Sequence, residues 1–414
     1  MSKQTNSSTE RSRSVPKLRF SDFSGVWEKY FLKDIAKVTS GGTPNRSTPK
    51  YWNGDIPWIT TSLIDFNEIN KAEEFITKEG LNNSSAKIFP VGTVLMAMYG
   101  QGKTRGKVAL LQIEATTNQA CAAILINKLI DSTFLFQALS GKYDEVRKLS
   151  NDGGQKNLSG DLIKNIKLKI PQLLEQQKIA SFLTAVDSKI ELLQKKKRGL
   201  EQYKKGVMQQ IFSQKLRFKK EDGTNYPNWE EKKLGEIATF LRGSALSKSD
   251  LVDNGNYKCI HYGELFTKYN EVINHIVSRT NIENGVKSLK GDILMPSSDV
   301  TPDGLAQASS IQFDGVILGG DINIIRPTKV YSIFLSYLLN YSKNQIIRIV
   351  TGTTVKHIYN KDVKLLEFTI PRSVEEQTQI ANLLSAIDDK IALVNTQLEN
   401  TKQFKKGLLQ QMFV

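Results

Sequence analysis

Residues 175–212 read EQQKIASFLTAVDSKIELLQKKKRGLEQYKKGVMQQIF, and residues 376–413 read EQTQIANLLSAIDDKIALVNTQLENTKQFKKGLLQQMF. They align without a gap at an offset of 201, with 17 of 38 positions identical. Each follows an Ile-Pro pair, Ile170-Pro171 and Ile370-Pro371, and each ends in Lys-Lys-Gly-x-x-Gln-Gln-x-Phe. A self-match at so long a period marks a duplicated structural unit. Apolar residues recur in alternating steps of four and three. In the first copy they are Ile179, Leu183, Val186, Ile190, Leu193, Leu200, Val207 and Ile211, interrupted by Lys197. In the second they are Ile380, Leu384, Ile387, Ile391, Val394, Leu398, then Phe404 or Lys405, Leu408 and Met412. A 3.5-residue period is a coiled-coil seam, and Pro171, Pro371, Glu175 and Glu376 suit helix starts. At 1.5 Å per residue such a helix is about 57 Å long. The expectation is an antiparallel pair with pseudo-twofold symmetry, in which Leu183, Ile190 and Leu193 pack against Leu384, Ile391 and Val394. The other reading is that each helix only pads the core of an adjacent domain.

The duplication reaches past the helices. Lys17-Leu18-Arg19-Phe20 recurs as Lys215-Leu216-Arg217-Phe218, and Trp27, Leu32, Ile35, Ala36 and Gly41 recur as Trp229, Leu234, Ile237, Ala238 and Gly243. Between these markers the halves diverge, keeping patches such as Gly92-x-Val-Leu-Met against Gly291-x-Ile-Leu-Met. Short β-branched segments bounded by Gly, Pro or Asn, among them Ile56–Thr61, Gly92–Met98, Lys107–Leu111 and Asn165–Ile170, read as strands. The fold class is therefore α+β. A tail (1–16) precedes a first mixed domain (17–169) and a helix (170–213), then a second domain (214–369) and a second helix (370–414).

Lys and Arg number 57 against 42 Asp and Glu, a formal charge of +15 that favours a polyanionic partner. Two cysteines, Cys121 and Cys259, cannot build a disulfide framework, and the most apolar run, Ile333–Leu339, is far below the about 20 residues of a membrane span. A cytoplasmic protein is expected. The three histidines lack neighbours at zinc-ligand spacing. Gly102-Lys103-Thr104 resembles the end of a phosphate loop, but Ala97 stands where GxxxxGK[ST] needs Gly. No Pro-Pro dipeptide offers an adenine-methyltransferase loop, and Pro302-Asp303 lacks the downstream acidic-x-Lys of a nuclease. No catalytic residue and no metal site is expected.

What remains for chemistry is a set of loops rich in side chains that pair with base edges or phosphate. In the first half they are GGTPNRSTPKYWNG (41–54), MYGQGKTRGK (98–107) and NDGGQKN (151–157). Their DNA-binding candidates are Thr43, Asn45, Arg46, Lys50, Tyr51, Tyr99, Gln101, Lys103, Thr104, Arg105, Lys107, Gln155, Lys156 and Asn157. In the second half, RGSALSKSD (242–250), HYGELFTKYN (261–270), PSSDVTPDG (296–304) and TGTTVKH (351–357) supply Arg242, Ser244, Lys248, His261, Tyr262, Lys268, Tyr269, Ser297, Ser298, Lys356 and His357. Ordinary solvated loops are the alternative for any one of them. For Lys195-Lys196-Lys197-Arg198, phosphate contact and a solvated face are equally open.

Two divergent domains each closed by IPxxxEQxxIAxxL, with Gly41-Gly42-Thr43-Pro44 and Tyr51-Trp52-x-Gly54-x-Ile56-Pro57-Trp58 in the first, resemble the specificity subunit of type I restriction-modification systems. The likeness runs from about residue 17 to the end. It implies two target-recognition domains, each reading one half of a split site in double-stranded DNA, and two spacer helices. It also implies that methylation and cleavage belong to two modification subunits and to restriction subunits, which would use S-adenosylmethionine, ATP and Mg. No cofactor is expected in this chain. A stand-alone duplicated DNA-binding scaffold would share the same composition.

Overall fold

The computed structural model of the protein describes residues 15–100, 103–149, 157–244 and 246–414. Most of the expected N-terminal tail, with Gln101, Gln155 and Lys156, lies outside them. The chain forms two compact units, one of the residues up to Gln194 together with Thr396–Val414, the other of Lys195–Asn395. The long helices, Leu173–Phe212 and Val374–Met412, each contribute to both units.

In the first unit, Ala36–Ser40, Cys121–Ile126, Val94–Ala97, Val108–Leu111 and Asn67–Ile69 join in that order into a five-stranded sheet. All its ladders are antiparallel except the last. Val94–Ala97 and Val108–Leu111 are apolar throughout because both faces are covered. Val94 and Met96 face a core shared with Phe134 and Leu135 of the Ser132–Gly141 helix, whereas Leu95 and Ala97 face a smaller core with Ile59, Ile64 and Phe89. A second sheet orders Glu74–Ile76, Trp52–Ile59 and Thr116–Thr117, and a ribbon pairs Glu28–Phe31 with Lys167–Ile170.

The second unit repeats this plan. Its five-stranded sheet runs Ala238–Arg242, Ile322–Pro327, Ile293–Pro296, Ser309–Ile311, Val272–Ile273, the same order of equivalent strands. Ser278–Thr280, Tyr257–Ile260 and Ile317–Leu318 form the three-stranded sheet, and Glu230–Lys233 pairs with Glu367–Ile370. One ladder has no counterpart among the described residues of the first unit, Ser298–Asp299 with Lys356–His357.

The Glu-Gln pair that opens each repeat is the joint between helix and domain. Glu175 is buried and accepts from Arg19 Nε (2.8 Å), Arg19 Nη2 (2.7 Å) and Trp27 Nε1 (3.3 Å). Glu376 accepts from Arg217 Nε (3.1 Å), Arg217 Nη2 (3.0 Å) and Trp229 Nε1 (3.1 Å). Gln176 accepts from Asp131 N and donates to Pro171 O, and Gln377 accepts from Tyr331 N and donates to Pro371 O. Each glutamine thereby holds the start of its domain's ten-residue helix against the start of the long helix.

Within each unit the two long-helix segments run antiparallel. In the first, Lys405 pairs with Asp187 (2.6 Å), and Phe413 meets Trp27, which bonds Glu175. In the second, Lys204 pairs with Asp388 (2.7 Å), Lys197 donates to Asn395 Oδ1 (2.8 Å), and Phe212 packs on Phe334, itself against Trp229. The expected antiparallel direction is present, but the partners differ from those expected. Ile179, Leu183 and Val186 share the first domain's core with Leu408 and Met412, and Ile380, Leu384 and Ile387 share the second's with Val207, Met208 and Ile211. Leu183 thus does not pack on Leu384. Ile190 and Ile391 are half-buried at the edges of those cores, Leu193 is half-buried, and Val394 is buried. The seam serves both purposes that the sequence left open, because one apolar stripe covers a domain core and meets the partner helix. Phe404 is exposed and Lys405 takes the seam, since Asp187 offers it a carboxylate.

Candidate nucleic-acid interface

The expected loops of the first domain leave one end of its five-stranded sheet. Ser40 pairs with Ala122, Ala97 with Cys121 and Met96 with Val108, so the segments after Ser40, after Ala97 and before Val108 emerge side by side, with the turn 118–120 between them. Met98 N donates to Ala120 O (2.9 Å) and Leu158 N to Met98 O (3.0 Å), which brings Asn157 to the same rim. Gly41 and Gly42 anchor the 43–51 loop. A Cβ on Gly41 would stand 2.0 Å from Thr117 O, and one on Gly42 2.3 Å from the Ser85 carbonyl carbon. Trp58 Nε1 donates to Gly42 O (3.0 Å) and Trp52 Nε1 to Asn45 O (3.1 Å). These contacts account for the two glycines of GGTP and the two tryptophans of YWxGxIPW.

The candidates on this rim differ in how free they are. The Arg46 guanidinium lies 3.8 Å from the Trp52 ring centroid and 4.6 Å from that of Trp58, and pairs with Glu74. Lys50 pairs with Glu79 and approaches the Tyr51 ring, and Lys107 pairs with Asp65 at 2.5 Å. Asn45 Oδ1 accepts from Ser47, and Thr43 donates to Gln119 Oε1. Tyr99 and Lys103 are exposed and Thr104 half-exposed. Arg105 is buried at 7% exposure, with Nη2 on Arg147 O, so it supports the loop from inside and, unlike the sequence expectation, does not face outward.

In the second domain Arg242, Gly320 and Asp321, Ser298 and His357 meet at the equivalent sheet end. Arg242 pairs with Asn323, Pro296 with Ile322, Ser298 with His357, and Ile358 N donates to Ser297 O. An open groove of about 660 Å³ there is lined by Arg242, Lys248, His261, Tyr262 and Asp321. Burial pushes His261 below the ordinary histidine value, against the pull of Glu264 and Asp321. Its Nδ1 accepts from Gly263 N (3.3 Å), which leaves Nε2 as the proton-bearing nitrogen. Tyr262 packs against His261, His357 stacks on Tyr359, and Lys356 donates to Gly352 O. Ser244 accepts from Val286 N, and Lys268 pairs with Glu264. Two candidates are interior. Tyr269 is 5% exposed, its hydroxyl accepts from Val277 N, and burial pushes it up to about 12. Ser297 is 5% exposed and bonded to Asp321. Neither can reach a base edge without unpacking the domain.

Gln119, Gly320 and Asp321 were not among the DNA-binding candidates of the sequence. They sit outside the donor-rich loops, in short turns that only strand pairing places at the rim. Of the basic run on the first helix, Lys195, Lys196 and Arg198 are exposed, while Lys197 turns to Asn395. Both thiols are buried and pushed up, Cys121 to about 12 and Cys259 to about 11. Among the described residues no cluster of His, Cys, Asp and Glu could hold a metal ion, and no helix is long and apolar enough to cross a membrane.

Fold and rims define a duplicated protein, in which one scaffold presents two different loop sets. The profile of the type I restriction modification DNA specificity domain matches it twice, over residues 25–202 and 226–403, and the chain belongs to that family. It is 24% identical over 406 residues to the type I restriction enzyme MjaIX specificity subunit of Methanocaldococcus jannaschii, covering 93% of this chain and 92% of that one. The EcoR124I/EcoR124II specificity subunit of Escherichia coli matches at 27% identity over 177 residues, 41% of this chain and 43% of that one. The S subunit of a type I restriction-modification system from M. genitalium shares the fold, with a TM-score of 0.63 at 16% identity over 97% of this chain and 99% of that chain. The chain is a type I specificity subunit with two tandem recognition domains, the non-catalytic component of its system.

Proposed function

We propose that the chain reads an asymmetric, bipartite site in double-stranded DNA, one half-site per domain. The observation that carries this is the paired rim. The same sheet end in two domains of the same strand order presents Thr43, Gln119 and the Trp-stacked Arg46 in one, and Arg242, Asp321 and His261 in the other. Equivalent geometry with different donors gives two half-sites of different sequence. The long helices set the spacing, because a helix of 40 residues is about 60 Å long, more than the about 34–36 Å of one DNA turn. The chain directs adenine methylation and restriction by two modification subunits and by restriction subunits, which supply S-adenosylmethionine, ATP and Mg, in the cytoplasm.

The test is an exchange of residues 26–168 for the matching region of a homologue, with the methylated motif of the host read before and after. One half-site should change and the other should persist. A change in both halves would reject independent reading.

A further inference from the structure

Arg242 ends the Ala238–Arg242 strand, a rigid mount at the rim of the second domain. Its Nε donates to Gly320 O (2.9 Å) and its Nη2 to Asp321 Oδ1 (3.1 Å). Both bonds use one edge of the guanidinium, that between Nε and Nη2. The other edge, Nη1 with the remaining Nη2 hydrogen, makes no hydrogen bond among the described residues, and the side chain is 57% exposed beside the open groove. A planar fork whose rear edge is held and whose front edge is empty is built for a second bidentate acceptor.

We infer that Arg242 reads a guanine in the second half-site, with Asp321 as the positioning residue that aims it; the inference rests on the DNA-reading role proposed above. Guanine presents two acceptors, O6 and N7, on its major-groove edge, whereas adenine places a donor where Arg242 would need an acceptor. The first domain has no such device at the equivalent positions. Ser40 stands at the end of the matching strand, and Ala120 occupies the turn position whose carbonyl accepts from Met98 as that of Asp321 accepts from Ser297. This Arg–Asp device therefore belongs to one half-site alone.

The test is selection of duplexes from a random pool by the full chain, wild type against Arg242→Ala, Arg242→Lys, Asp321→Asn and Asp321→Glu, with thermal melting to confirm folding. The wild type should select a bipartite site with a guanine in one half. Replacing that guanine by 7-deazaguanine should weaken wild-type binding roughly 5- to 150-fold, and should add nothing in Arg242→Ala. Arg242→Lys and Asp321→Asn should lose discrimination at this base pair only, and Asp321→Glu should recover part of it. If Arg242→Ala instead weakens every sequence equally and lowers the salt dependence by about one phosphate contact, Arg242 binds backbone and the guanine assignment is overturned while sequence reading stands. If the wild type selects no sequence, the reading and the inference fall together.

Discussion

Glu175 and Glu376 are the residues on which each domain's attachment turns. Each is a buried carboxylate satisfied by an arginine fork and an indole from a segment more than a hundred residues away. Glu376→Ala removes the counter-charge of Arg217 and the acceptor of Trp229, and should cost about 3 kcal/mol, measured as a loss of unfolding free energy in urea. A variant as stable as the wild type would show that the triad is ornamental. His261 offers a pH test at the same scale. Its folded value lies below its unfolded value of about 6.5, so the unfolded chain binds more protons between the two. The second domain should therefore lose stability as pH falls below about 6.5, because the unfolded chain takes up a proton that the folded imidazole, neutral and accepting from Gly263 N, refuses until its own lower value is reached. A carbon-bound proton titration of His261 with a midpoint above 6.5 would contradict this. The repeated EQ motif was legible in sequence, but its partners were not, since Arg19 and Trp27 lie about 150 positions from Glu175.

Among the elements, the long helices carry the clearest lesson. A 3.5-residue stripe announces a helix with one apolar face, yet it does not say which surface covers that face. The stripe is divided, because Leu183 closes the first domain's core with Leu408 and Met412, whereas Leu384 closes the second's with Met208 and Ile211. Leu183→Ala and Leu384→Ala should each cost about 2–5 kcal/mol, and their effects should add to within about 0.5 kcal/mol. Leu183→Ala with Leu408→Ala should depart from additivity, since both belong to one packed core. Coupling between Leu183 and Leu384 in chemical denaturation would restore the direct packing that the sequence suggested. The polar residues in the seam repeat as well. Lys405 with Asp187 and Lys204 with Asp388 occupy equivalent positions, joined respectively by Gln137 and by Tyr337 from the ten-residue helices. Burial first, then Glu271, holds Asp388 above the usual carboxylate value, against the pull of Lys204. A pattern of apolar spacing cannot reveal such pairs, because a lysine at a seam position reads as an interruption until its carboxylate partner is known.

At the scale of the whole molecule, the proposed spacing role has a direct test. Adding four residues to one helix near 195–199 lengthens it by about 6 Å and turns its C-terminal portion by about 40°. The preferred gap between half-sites should change, or binding should fail, while the bases in both half-sites stay the same. A survey of methylated sites in which bases changed and spacing did not would reject the ruler. The sequence by itself determined the duplication, the two long helices, several strands of the first domain and the family, because those arise from local periodicity and from identities that recur at a fixed offset. It also marked most of the rim loops, whose glycines and polar side chains stand out from the strands around them. Only the tertiary structure decided that the diverged domains share one strand order, that Arg105, Tyr269 and Ser297 face inward, and that Asp321 stands behind Arg242. Burial and pairing across a sheet depend on residues distant along the chain. A basic or hydroxyl side chain in a loop looks the same in sequence whether it meets solvent, a buried carbonyl or a base.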